Sequence, residues 1–163
     1  MKTTASHVTQ LVVYPETAFT TFFSRHVVNQ AEVERFFEKG DDITKNENIK
    51  VFFDAAQSLN TDVYMGYAEL TSDGDSYNTC IYHSGMEGKV ISKYRKIYLF
   101  GTSEPVKNRN AVNQLEKEYF KPGNLSFNAF RAPDLIPGAL QKGDATIESD
   151  TAEKGDPIID MMI

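Results

Sequence analysis

Three charged side chains stand beside short apolar runs, where a carboxylate could move protons and an ammonium could stabilise a developing negative charge. Glu16 follows Leu11-Val12-Val13-Tyr14 through Pro15. It would project from the carboxyl end of a strand, where open α/β sheets tend to place their sites. Lys96 closes the run Lys93-Tyr94-Arg95-Lys96 and precedes Ile97-Tyr98-Leu99-Phe100. Glu116 lies in Leu115-Glu116-Lys117-Glu118. Each has a plainer reading: Glu16 as a solvated loop acid, Lys96 as part of a wet edge-strand face, Glu116 as a helical surface acid. Cys80 is the single cysteine, set between Thr79 and Ile81 with no histidine at motif distance. Its neighbours suit a small buried side chain better than a nucleophile, which needs a polar setting to ionise.

The elements that must hold these residues are legible in part. Leu11 to Tyr14 is apolar at every position, which suits a strand buried on both faces, and Thr3 to Gln10 reads as the tail of a helix. Ala31 to Lys39 makes a short helix stopped by Gly40. Thr44 and Glu47 have capping-box spacing ahead of Ile49, Phe52, Phe53, Ala56 and Leu59, which fall on one helical face ending near Asn60. Asp62 to Leu70 and Tyr77 to His83 read as strands joined through Ser72-Asp73-Gly74-Asp75. In the second, Tyr77, Thr79 and Ile81 share one face, while Asn78, Cys80 and Tyr82 share the other. A third strand runs from Lys89 to about Tyr94. Leu115 to Phe120 forms a helical turn, Phe127 to Phe130 a short strand, and Ile158 to Ile163 a core strand. Between the last two, Pro137 to Gly155 is charged and poor in large apolar residues, the composition of a mobile loop, which is expected over 138–155.

The totals narrow the function classes. A chain of 163 residues holds one domain, and 40% apolar with 25% charged residues is ordinary for a globular protein. A net charge of −6 argues against a nucleic-acid partner. No window approaches the ~20 apolar residues of a membrane span, and the start lacks a signal-peptide core, so a cytoplasmic location is expected. His7, His26 and His83 are scattered, and one cysteine cannot build a zinc site, so no metal and no cofactor are expected.

Leu11-Val12-Val13-Tyr14-Pro15-Glu16, with Thr20-Thr21-Phe22-Phe23 after it, is similar to the first catalytic motif of the nitrilase superfamily, and most similar to that of its N-carbamoyl-D-amino-acid amidohydrolases. Gly66-Tyr67-Ala68-Glu69, Tyr77-Asn78-Thr79 and Ser92-Lys93-Tyr94-Arg95-Lys96 resemble the next blocks in order. Leu115 to Gly123 and Gly155-Asp156-Pro157-Ile158-Ile159 continue the series, so the resemblance runs from about Gln10 to Ile163. It implies an α+β fold, part of a four-layer α-β-β-α sandwich that is incomplete here. It implies hydrolysis of a non-peptide C–N bond, in an amide or an N-carbamoyl amino acid, by a Glu-Lys-Cys mechanism. Glu16 then corresponds to the general base, Lys96 to the oxyanion-stabilising lysine and Glu116 to the second glutamate. Tyr98 and Gln114 stand where the family places pocket histidines, which makes them pocket candidates and puts carbamoyl specificity in question.

The family's cysteine follows the strand that Ile158 to Ile163 resembles, so the nucleophile is expected outside this chain and residues 1–163 are expected to be an amino-terminal part. The family's first strand is expected to be missing too. The partners implied are a small amide or carbamoyl substrate in a full-length form, and a homo-oligomer. The alternative is a catalytically dead short protein acting as a binding or dimerisation module.

Overall fold

The computed structural model describes residues 9–108, 110–126, 129–132 and 158–159. The helix tail expected over Thr3–Gln10, the loop at 138–155 and the end of the strand from Ile158 fall largely or wholly outside them.

The main sheet is built from β1 (Leu11–Val13), β2 (Glu38–Lys39), β3 (Asp62–Leu70), β4 (Ser76–Ser84) and β5 (Lys89–Arg95). Its order is β1-β3-β4-β5, and β2 shares the β1 edge of β3 further along. The β3, β4 and β5 strands form an antiparallel meander, with Met65 opposite Ile81 and Ile81 opposite Lys93. Their even alternation places Val63, Met65, Tyr67 and Ile81 on one face, as the sequence pattern predicts for β4. Helix α2 (Lys50–Ser58), which follows the short α1 (Gln30–Val33), packs Phe53 and Ala56 against that outer face.

The inner face carries Cys80, Tyr82 and Tyr94, which pack with Ala132 and the half-buried Phe130. Phe130 begins β6 (Phe130–Arg131), which pairs antiparallel with β7 (Ile158–Ile159). The Tyr82 and Phe130 ring centroids lie 4.9 Å apart, so this small second sheet sits over the inner face of the first. Helix, sheet and second sheet are successive layers of an α-β-β-α sandwich, part of which these residues build. A third cluster joins Phe23, Val33, Phe37 and Ala68 to Leu115, Tyr119 and Phe120 from the far end of the chain. No helix among the described residues is long and apolar enough to cross a membrane.

The structure corrects three expectations. The first concerns β1, which is not buried on both faces: it ends the sheet, and Val13 is exposed. The helix expected over Ala31–Lys39 is only α1 and a 3-10 turn (Glu34–Phe36), because Glu38 and Lys39 pair instead with Glu69 and Leu70. The Thr44–Glu47 capping box does not form. Asp42 takes both the Thr44 amide (3.1 Å) and its hydroxyl (2.6 Å), capping a 3-10 turn at Ile43–Lys45, and α2 begins without a side-chain cap.

Candidate active site

Glu16 is delivered by backbone turns rather than by a regular element. After β1 the chain keeps to the edge of β3: Tyr14 N–H donates to Tyr64 O and Ala18 N–H to Gly66 O, each at 2.8 Å. A Cβ on Gly66 would lie 2.9 Å from the Glu16 Cα, so only glycine lets the chain rest this closely on β3. Thr17, next to Glu16, is held at φ +50°, an uncommon conformation for a β-branched residue and one found where strain serves geometry.

Lys96 continues β5. Its N–H donates to Asn78 O and its carbonyl accepts from Gly123 N–H, both at 2.8 Å. On the outer face the preceding residue anchors the strand end: Arg95 gives Glu69 two hydrogen bonds of 2.8 Å and lies over the Tyr77 ring. Lys93 and Thr79 complete the shell of Glu69. Burial alone would raise the Glu69 carboxyl, but the bonds from Arg95, Lys93 and Thr79 outweigh it and hold it below the usual carboxylate range.

Glu116 opens α3 (Glu116–Tyr119), a single turn tied down because Leu115 N–H donates to Ser24 O at 2.8 Å. The segment after Lys96 reaches the same place. Gly101 bridges Leu115, Thr102 N–H donates to Gln114 O (2.9 Å), and Phe100 N–H donates to Glu116 Oε2 (3.0 Å). Gly101 is at φ +74° and a Cβ there would stand 1.7 Å from Gln114 O. Gly101→Ala is therefore expected to destabilise the protein by about 1–3 kcal/mol, read as a lower denaturant midpoint; an unchanged midpoint would show that the 100–102 and 114–116 segments are not locked.

The three residues meet. Lys96 Nζ lies 2.9 Å from Glu16 Oε1 and 3.1 Å from Glu116 Oε1. Lys96 is 4% and Glu116 2% exposed, so the plain surface readings of both are overturned. Burial by itself would depress the Lys96 ammonium, but its hydrogen bonds to Glu16 and Glu116, and their charges, raise it above the ordinary lysine value. An ammonium has three protons to donate. Two are committed to the carboxylates, and the third has no oxygen partner among the described residues, with the Phe100 ring 4.9 Å from Nζ.

The two carboxylates are not equivalent. Both oxygens of Glu116 are engaged, one by Lys96 and one by the Phe100 amide. Glu16 accepts from Lys96 and Asn78 on the same oxygen, Oε1, its side chain is 29% exposed, and Oε2 accepts no hydrogen bond among the described residues. Asn78 was not singled out by sequence reasoning. The signal was its place in Tyr77-Asn78-Thr79, on the same β4 face as Cys80.

Tyr98 and Gln114 are exposed flanks of this arrangement. Cys80 is buried on the inner face, with Tyr64 Oη 3.5 Å from its sulfur, and burial pushes its thiol up to about 11, so it is protonated at neutral pH.

The profile of the carbon-nitrogen hydrolase family matches residues 1–160. A protein of Pyrococcus abyssi called a nitrilase is 34% identical over 122 residues, covering 74% of this chain and 38% of that protein. A carbon-nitrogen hydrolase from Helicobacter pylori superposes with a TM-score of 0.60 at 20% identity, over 81% of this chain and 40% of that one. A Saccharomyces cerevisiae member of the nitrilase superfamily gives 0.59 at 18% identity, over 81% and 42%. These two likenesses speak to the fold alone, and the chain spans well under half the length of each of these relatives. A match over nearly every residue means that this chain belongs to the carbon-nitrogen hydrolase family.

Proposed function

We propose that this chain carries the acid–base and oxyanion side chains of a thiol hydrolase acting on the C–N bond of an amide or an N-carbamoyl amino acid. The nucleophilic thiol would come from outside residues 1–163. The observation that carries this reading is one buried ammonium held between two carboxylates, of which Glu16 alone keeps an oxygen without a hydrogen-bond partner among the described residues.

Glu16 Oε2 takes the proton of the thiol, and the thiolate attacks the carbonyl carbon. The carbonyl electrons move to oxygen, where the uncommitted Lys96 proton meets the oxyanion. Collapse breaks the C–N bond, and the amine leaves with the proton that Glu16 held. Water then gives a proton to Glu16 and attacks the acyl or carbamoyl thioester. The second collapse expels the sulfur, which recovers the proton. Glu116 takes no proton in this scheme: it fixes the ammonium. Tyr98 and Gln114 are proposed as pocket-rim residues that contact the substrate beyond the reacting carbonyl.

Cys80 is left out because its thiol is buried and lies in neither ion pair. The 163-residue chain is therefore expected to release no ammonia from N-carbamoyl amino acids or simple amides. Turnover by this chain that Cys80→Ala abolishes would overturn the assignment. In a form extended by a thiol-bearing segment, ammonia release should depend on the added thiol and persist in Cys80→Ala.

A further inference from the structure

Asn78 is fully buried in the middle of the main sheet, and its two ends serve the two halves of the site. Its backbone carbonyl accepts the Lys96 N–H at 2.8 Å, and its side-chain Nδ2 donates to Glu16 Oε1. The remaining group, Oδ1, is buried and accepts no hydrogen bond among the described residues. A side chain present only to hold the sheet together gains nothing from an unmade buried acceptor, which is a cost to folding. Turning the amide over would aim Oδ1 at the Glu16 carboxylate, so the donor end must face Glu16 as long as that group is charged.

We infer that Asn78 is a positioning residue for the reaction. By holding Glu16 Oε1 beside Lys96, it makes Oε2 the oxygen that accepts the proton. The inference rests on the proposed hydrolase reading, and it separates the cost of Asn78 to folding from its benefit to turnover.

Two variants test it. Asn78→Leu keeps the approximate shape and removes both the donor and the unmade acceptor. In a full-length form carrying the thiol, kcat should fall about 100-fold, within the range seen for losses at positioned acid–base groups. KM should stay within about threefold, and the melting temperature should be unchanged or raised. A merely structural asparagine would give the opposite pattern, a lower melting temperature with kcat retained, and that result overturns the inference.

On the 163-residue chain, Asn78→Asp should lower the melting temperature by setting two carboxylates together. Adding Glu16→Gln should restore it, because an amide then donates to the new carboxylate. Failure of this rescue removes Asn78 while leaving the hydrolase reading standing. An active full-length protein with kcat indifferent to Glu16→Gln sinks the reading itself.

Discussion

Lys96→Met is expected to destabilise the protein by about 3–5 kcal/mol, because it leaves a buried carboxylate without its counter-ion. The loss falls mainly on Glu116, whose side chain is 3% exposed and whose other partner among the described residues is the Phe100 amide. Glu16, more open to water and bonded to Asn78, can be solvated in place. The two carboxylates should therefore differ in rescue. Adding Glu116→Gln to Lys96→Met should recover most of the lost stability, and adding Glu16→Gln should recover little. Denaturant unfolding followed by circular dichroism measures all four proteins, and equal rescue by both would show that the ammonium does not discriminate between its partners.

The same pair sets an alkaline limit. Lys96 has a folded-state pKa above its unfolded value, so its stabilising contribution is complete below the ordinary lysine value of about 10.4 and disappears as pH rises through the higher folded value. The alkaline loss of stability should be shallower in Lys96→Met than in the wild type.

How much of this was legible in the sequence depended on whether the signal lay in a side chain or in the backbone. The β3, β4 and β5 strands were readable because alternation along a pleated strand is a local rule that tertiary packing here obeys. The capping box failed because Asp42, two residues before Thr44, competed for the same hydroxyl and amide. Residues Glu38 and Lys39 left their helix for a pairing with β3 that no local window contains. At the candidate site, Glu16, Lys96 and Glu116 were singled out by their places beside apolar runs and by the resemblance of the blocks that contain them, and the structure brings the three together. Their juxtaposition was not legible, since it depends on the backbone passing over Gly66 and on the Gly101 bridge. The Phe100 amide that occupies Glu116 Oε2 is a main-chain donor and leaves no mark in residue type. In the proposed reaction, that bond is what makes Glu16 rather than Glu116 the proton acceptor.

That asymmetry leads to the largest expected effect on activity. In a full-length form carrying the thiol, Glu16→Gln should lower kcat by about 10²–10⁴-fold, the usual worth of a positioned acid–base group. KM should change little, because Glu16 Oε2 would act on the moving proton rather than on the bound substrate. An amide still occupies the space and still has a carbonyl to accept from Lys96 and Asn78, so the site should keep its shape. Glu116→Gln should behave differently. It removes a counter-ion of Lys96 but no proton acceptor, so turnover should fall less and stability more. Steady-state rates of ammonia release, set beside unfolding midpoints for the two variants, separate the roles. Equal losses of kcat would mean that both carboxylates exchange protons, and a larger loss from Glu116→Gln would transfer the role of base from the half-open glutamate to the buried one.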